Sequence, residues 1–335
     1  MSKSEDKWKD YLLRSSLPLE QIVAEKLEKH GFYIAGEYAY TRPNESDIET
    51  EFSSDLHAFD FLGCDEDDYL NLNILIECKY RYPGVRWIFS PYPEESTVVL
   101  GFVNYLEELC TERLESTDSL YEFERSLENC TKGIELHGKG VDPNGISRGL
   151  HQLRYAVPNL VAQEYRAQIT TWNETDLAIS CVCPILVTTA SLHTLKLGLG
   201  LEAFQSAADL DDVATEVESL VVYQKPGPQL RRYCNEVSRT LHRQYPDIAQ
   251  RLDEFEKFMG THRGVLPSTW TFNDHFTSAT TNILVVRLDA LDKTLDFLRN
   301  SVLEASRVKK RVATLSVDLV KSQILCNFLQ AQSPL

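Results

Sequence analysis

Leu70 to Arg81 reads LNLNILIECKYR. The even positions Leu70, Leu72, Ile74, Ile76, Cys78 and Tyr80 are largely apolar, whereas the odd positions are Asn71, Asn73, Leu75, Glu77, Lys79 and Arg81. Two-residue alternation of this kind predicts a strand, because successive side chains leave opposite faces of a pleated backbone. Glu77, Lys79 and Arg81 therefore share one face, and Cys78 turns into the packed side. A carboxylate beside an ammonium is a minimal apparatus for holding a divalent metal ion and a water molecule next to it.

A second acid stands out upstream. The segment from Leu56 to Leu62 reads as another strand, in which Asp60 shares a face with Leu56, Ala58 and Leu62. An ionised carboxylate on an apolar face is costly unless it is paired or binds a metal, so Asp60 demands a partner. With these two strands joined as a hairpin, Asp60 and Glu77 are expected to converge with Lys79. Two carboxylates and the backbone carbonyl of Cys78 are hard oxygen ligands of the kind Mg²⁺ takes, and Mn²⁺ is a possible substitute. Such an ion lowers the pKa of a bound water and offsets charge that builds on a phosphate under attack.

The surrounding order is equally legible. A helix is predicted over 17–30, with Pro18 in its first turn, Gly31 at its stop and Leu19, Val23 and Leu27 as its buried stripe. Glu20 borders that stripe, near the end where the helix dipole favours a carboxylate. A strand is expected over 32–40 and a short one in VRWIFSPYP, then helices over 101–115 and 119–131 and a long loop through TKGIELHGKGVDPNGI. A helix over 146–157 carries Gln152, and Pro158 bends or ends it. The apolar run 179–190 reads as a central strand, 217–224 as another, and KPGPQ as a boundary. Beyond it come a charged helix over 229–258 and a strand running into a helix from NILVVR onward. The organisation expected is a first domain over 1–225 and a mainly helical, relatively basic region over 226–335.

These motifs resemble the PD-(D/E)xK nuclease superfamily, with the restriction-endonuclease-like fold, and ILIECKYR resembles its Mrr-like branch. The resemblance rests on Asp60, Glu77-Cys78-Lys79 and the helix LPLEQIVAEKLEKHGF. It implies an α/β core over about 17–190, a mixed central sheet flanked by helices. It implies metal binding by Asp60, Glu77 and the Cys78 carbonyl, and service of the attacking water by Lys79. Glu20 matches the acid of the first core helix, and Gln152 the glutamine of the later one. The activity implied is Mg²⁺-dependent hydrolysis of phosphodiester bonds, in DNA first of all, in prokaryotic defence or DNA processing. The alternative is a catalytically silent binding or scaffolding subunit on the same fold, acting with a partner subunit or as a homo-oligomer.

Charge constrains this reading. The 335-residue chain carries a formal charge of −16, which disfavours non-specific coating of nucleic acid. Residues 226–335 hold 15 Lys+Arg against 11 Asp+Glu, a net of +4, which leaves 19 against 39, a net of −20, for residues 1–225. Candidates for phosphate contact are Arg81 and the basic cluster Arg307, Lys309, Lys310 and Arg311, whose plainer reading is a solvated basic helix face. The eight cysteines form no CxxC pair, so zinc-ligand spacing is absent. Cys78 is turned inward and His57 lies on the strand face opposite Asp60, which disfavours a Cys-His hydrolase. The polar N-terminus MSKSEDKWKD has no apolar signal core, and no apolar run reaches about 20 residues. The sequence thus reads as soluble and cytoplasmic, with no membrane contact.

Overall fold

The computed structural model describes residues 7–43, 46, 48–65, 68–92, 127–138, 140–171, 177–247, 250, 276–300 and 303. Its elements are α1 (Lys7–Arg14), α2 (Leu17–Lys29), β1 (Tyr33–Pro43), β2 (Glu49–Asp65), β3 (Asp68–Lys79), β4 (Arg86–Pro91), β5 (Glu128–His137) and β6 (Gly140–Asp142). There follow α3 (Gly145–Thr171), β7 (Leu177–Thr188), β8 (Ser191–Leu195), α4 (Leu201–Ser206), β9 (Ala214–Val217), β10 (Ser219–Tyr223), α5 (Pro228–Gln244) and β11 (Asn282–Arg287). A helical segment over 291–300 continues from β11 through one 3₁₀ turn.

The strands form one mixed sheet in the order β1-β2-β3-β7-β11-β10-β5-β4-β8-β9, with β6 added beside β5. β1, β2 and β3 are an antiparallel meander, and β3 then runs parallel to β7 over its whole length, from Asp68↔Leu177 to Lys79↔Thr188. A parallel neighbour requires a crossover, which α3 supplies. The apolar run of β7 follows from burial on both faces. Cys181, Cys183, Ile185 and Val187 enter one core layer, and Val182 and Leu186 the other.

Each layer is covered by helices. Leu19, Val23 and Leu27 of α2 pack with Leu291, Leu295 and Leu298 against Leu56, Ala58, Ile74 and Ile76. On the opposite face, Leu150, Leu153, Val157 and Val161 of α3 pack with Leu230, Cys234 and Leu241 of α5 against Leu75, Val182 and Leu186. The molecule is thus an α/β protein with a large mixed sheet flanked by helices.

Several sequence expectations change here. Within TKGIELHGKGVDPNGI, the residues up to His137 and Gly140–Asp142 are strand rather than loop, because β5 pairs with β4, β6 and β10, and α3 begins at Gly145. The helix expected over 119–131 gives way to β5 from Glu128 onward, and its earlier part, like the helix over 101–115, lies outside the described residues. Of the two outcomes open at Pro158, the helix continues, and Pro158 sits inside α3. The lost hydrogen bond and ring clash cost about 3 kcal/mol in an exposed helix. Full burial of Ala156, Val157, Leu160, Val161 and Tyr165 around Pro158 offsets that cost. The region after residue 226 is not simply a helical extension. β11 lies between β7 and β10 with five consecutive buried residues, so this part of the chain completes the centre of the sheet.

Candidate active site

The C-terminal end of β3 is where the ladder to β2 opens. The last paired rung is Leu56↔Ile76, and one rung beyond it Asp55 stands opposite Glu77. There the Cys78 N–H donates to the Asp55 carboxylate, Oδ2, at 2.6 Å, in place of a strand-to-strand bond. The next carbonyl, that of Lys79, faces the other edge, where the Thr188 hydroxyl donates to it at 2.9 Å. Main-chain groups of successive strand residues leave opposite edges, so the Cys78 carbonyl faces the Asp55 side.

Glu77 is fully buried, at 0% exposure. One of its oxygens, Oε1, accepts from Lys79 Nζ in a close ion pair, while Oε2 is buried without a hydrogen-bond partner. Lys79 Nζ also donates to Gln152 Oε1 at 3.2 Å. Gln152 is placed by the first turns of α3, and its own carbonyl accepts from the Tyr40 hydroxyl at 3.0 Å. Gly149, one turn earlier, allows this approach. A Cβ there would come within 2.8 Å of Leu186 Cδ1 and 3.3 Å of Lys79 Cε.

Glu20 arrives from the first turn of α2, which is docked onto the same strand end. The Tyr80 N–H donates to Ser16 Oγ at 3.2 Å, and Ser16 holds a left-handed φ of 63° just before the helix. Glu20, Asp55 and Glu77 are all held above the ordinary carboxyl range. For each, burial is the first cause and the Lys79 ammonium opposes it; the Asp55 charge raises Glu20 and Glu77 further, whereas the bond from the Cys78 N–H holds Asp55 itself down. For Glu77 the result is a carboxyl pushed up to about 7. Asp55, Glu77, Lys79 and Gln152 thus lie together at one strand end, with Glu20 near enough for its charge to be felt.

Asp60, by contrast, is not brought to Glu77. It pairs with Leu72, five residues and about 17 Å along β3. It also lies on the other face. The β2–β3 register joins even positions to even and odd to odd, so Asp60 falls in the α2 layer and Glu77 in the α3 layer. Asp60, 5% exposed, meets its electrostatic demand through Arg299, whose Nε donates to Oδ2 at 2.8 Å. The acid that faces Glu77 is Asp55, which the sequence reading placed just outside β2. β2 in fact begins at Glu49, and the alternation of Ser53, Asp55 and His57 on the odd face was the available signal.

The remaining candidates fall as follows. Arg81 donates from Nε to Glu135 Oε2 at 2.6 Å and lies over the Trp87 ring, while Trp87 Nε1 donates to the same Glu135 oxygen at 3.0 Å. It is a partner of a buried acid rather than an exposed cation. Arg307, Lys309, Lys310 and Arg311 lie outside the described residues. Cys78 is 1% exposed, with its thiol raised far above the usual range by burial, and His57 Nε2 is 3.0 Å from Asn73 Oδ1 in the sheet. Neither side chain is arranged as a nucleophile or its base.

A Mg²⁺ ion needs oxygen donors with unspent lone pairs. The orphaned Glu77 Oε2, the Asp55 carboxylate and the Cys78 carbonyl supply such a set, with Glu20 at its margin. Among the described residues no three His, Cys, Asp or Glu side chains are already gathered as a metal cluster, and the set offered here is two side chains and one main-chain oxygen. A separate cavity of about 710 Å³ lies to one side, between the turn end of the β1–β2 hairpin, α3 and α5, lined by Arg42, Tyr155, Asn159, Arg166, Arg232 and Tyr233 among others. It does not contain the carboxylates. Among the described residues no helix is long and apolar enough to cross a membrane. Comparison with protein-family models, with curated proteins and with solved structures finds no match to this chain.

Proposed function

We propose that this chain is a metal-dependent phosphodiester hydrolase, a nuclease acting first of all on DNA, with its centre at Asp55, Glu77 and Lys79. The observation that carries this reading is the buried Glu77, which offers one oxygen to Lys79 and holds the other unpartnered beside Asp55. The element order α2, β1–β3, α3, β7 supports it, being that of a restriction-endonuclease-like core with β4–β6 inserted before the second helix.

In this reading Asp55, Glu77 and the Cys78 carbonyl hold Mg²⁺, and Glu20 holds a water at the margin. The ion, when bound, lowers the pKa of a coordinated water and neutralises charge on the phosphate. Lys79 orients the attacking water and balances the developing negative charge, and Gln152 fixes the Lys79 ammonium by accepting from it. Asp55 has a further task, since its bond to the Cys78 N–H keeps the strands apart where the substrate phosphate must enter.

The test is direct. The purified chain is incubated with plasmid, linear duplex and single-stranded DNA and with RNA, in Mg²⁺ and in Mn²⁺, beside Lys79→Ala. Cleavage in the parent and not in the variant is expected, and intact substrates throughout would sink the proposal. A second reading, a silent nuclease-fold binding subunit, is favoured by one feature, that Lys79 already neutralises Glu77 without a metal. Calorimetric titration with Mn²⁺ separates the two, because the silent subunit gives no heat that Asp55→Asn removes.

A further inference from the structure

Helix α1, like the short α4, has no buried residue. The large side chains of KWKDYLLR stand in solvent, with Trp8 at 59% and Tyr11 at 66% exposure. An isolated helix of eight residues is marginal in water, and here no apolar face docks it in compensation. What holds it is polar. Arg14 Nε donates to the Tyr82 hydroxyl at 3.2 Å, with the guanidinium 5.7 Å from that ring's centroid. Tyr82 in turn meets Tyr80 edge-on at 5.4 Å, and Tyr80 follows Lys79 directly.

The run from the helix is therefore Trp8 and Tyr11, then Arg14 on Tyr82, then Tyr80, whose ring packs on the α2-side core just past the end of β3. Trp8 and Tyr11 are three residues apart, and Lys7, Tyr11 and Arg14 recur at four and three, so aromatic and cationic side chains run along one side of α1. α1 holds three cations, Lys7, Lys9 and Arg14, against one acid, Asp10, in a region of net charge −20. Aromatic rings that stack successive bases, interleaved with cations that follow the phosphates, are how single strands are held without sequence preference.

We infer that the exposed face of α1, continued by Arg14 and Tyr82, forms a stacking platform for single-stranded nucleic acid beside the end of β3. This rests on the hydrolytic reading for its purpose but not for its binding. A duplex keeps its bases stacked inside, so it cannot use the rings, and it spreads more charge against an acidic surface. The platform selects unpaired ends, loops or strands over intact duplex.

The experiment uses the full chain carrying Glu77→Gln, in EDTA, with fluorescent oligothymidylate, a duplex of equal length and phosphatidylserine vesicles. Single strands are expected to bind at least ten-fold more tightly than duplex and to quench tryptophan emission. Trp8→Ala with Tyr11→Ala is expected to reduce single-strand affinity at least ten-fold with an unchanged melting temperature, since neither side chain is buried. The inference is overturned if the double variant binds oligothymidylate like its parent, if duplex binds as well as single strand, or if the substitutions abolish vesicle binding instead. Single-strand binding that depends on Trp8 and Tyr11, in a protein whose wild type cleaves nothing, overturns the hydrolytic reading and leaves the platform standing.

Discussion

Asp55 accepts the Cys78 N–H at 2.6 Å and stands across from Glu77, one rung past the last pair of the β2–β3 ladder. The same bond does two things. It fixes a carboxylate next to the buried Glu77, and it stops the two strands from closing over the site. A side chain that replaces a ladder bond still satisfies the buried amide, and here the amide it satisfies adjoins the buried Glu77.

The two aspartates of β2 are expected to separate function from stability. Asp55→Asn should reduce metal-dependent cleavage by at least 100-fold, whereas Asp60→Asn should leave the reacting groups in place. Asp60→Asn weakens the charge-assisted bond from Arg299 and should cost about 1–3 kcal/mol. Cleavage rates and urea unfolding of both variants check this, and full loss of activity in Asp60→Asn with retained stability would contradict it.

Glu77 makes stability fall as pH rises. Its carboxyl is raised from 4.5 to about 7 in the folded chain, so between these values the folded state holds a proton that the unfolded state has lost. The stabilising contribution is complete below about 4.5 and is lost as pH rises through about 7. Glu77→Gln should therefore match the parent near pH 4.5 and gain melting temperature on it by pH 8. A gain that shrinks with rising pH would refute this assignment.

Lys79 and Glu77 should behave as a unit. Lys79→Met leaves a fully buried carboxylate without its counter-charge and is expected to destabilise by about 3 kcal/mol at pH 8. Adding Glu77→Gln should restore most of that stability while activity stays absent. Independent, additive losses in the double-mutant cycle would show that the two groups are not coupled.

Arg81 should prove a structural cation. Arg81→Ala removes the partner of the buried Glu135 carboxylate and is expected to lower the melting temperature. It should leave the salt dependence of nucleic-acid binding unchanged, because that slope counts neutralised phosphates. A slope reduced by about one would restore Arg81 to the nucleic-acid surface.

The legible part of this protein was the part written in local periodicity. Alternation through LNLNILIECKYR identified β3 and put Glu77 and Lys79 on one face, and the stripe Leu19, Val23, Leu27 identified α2 with Glu20 beside it. Gln152 was readable as a helix residue, but its bond from Lys79 came only with the docking of α3 on β3. The C-terminal strand β11 was recognised as a strand, but its place between β7 and β10 was not, because strand order depends on contacts far apart in the chain.

Sequence by itself determined which side chains share a face within each strand. Tertiary structure alone decided which acid of β2 meets Glu77. A hairpin's register depends on the turn, and β2–β3 carries an irregularity between Gly63 and Asp65. A slip of one residue there exchanges every side chain between faces. With Leu56 opposite Ile76, odd residues meet odd ones, so Asp55 joins Glu77 on the α3 side and Asp60 is left on the α2 side for Arg299. The demand that a buried carboxylate be partnered was readable at Asp60; the identity of the partner was set by a helix more than two hundred residues away.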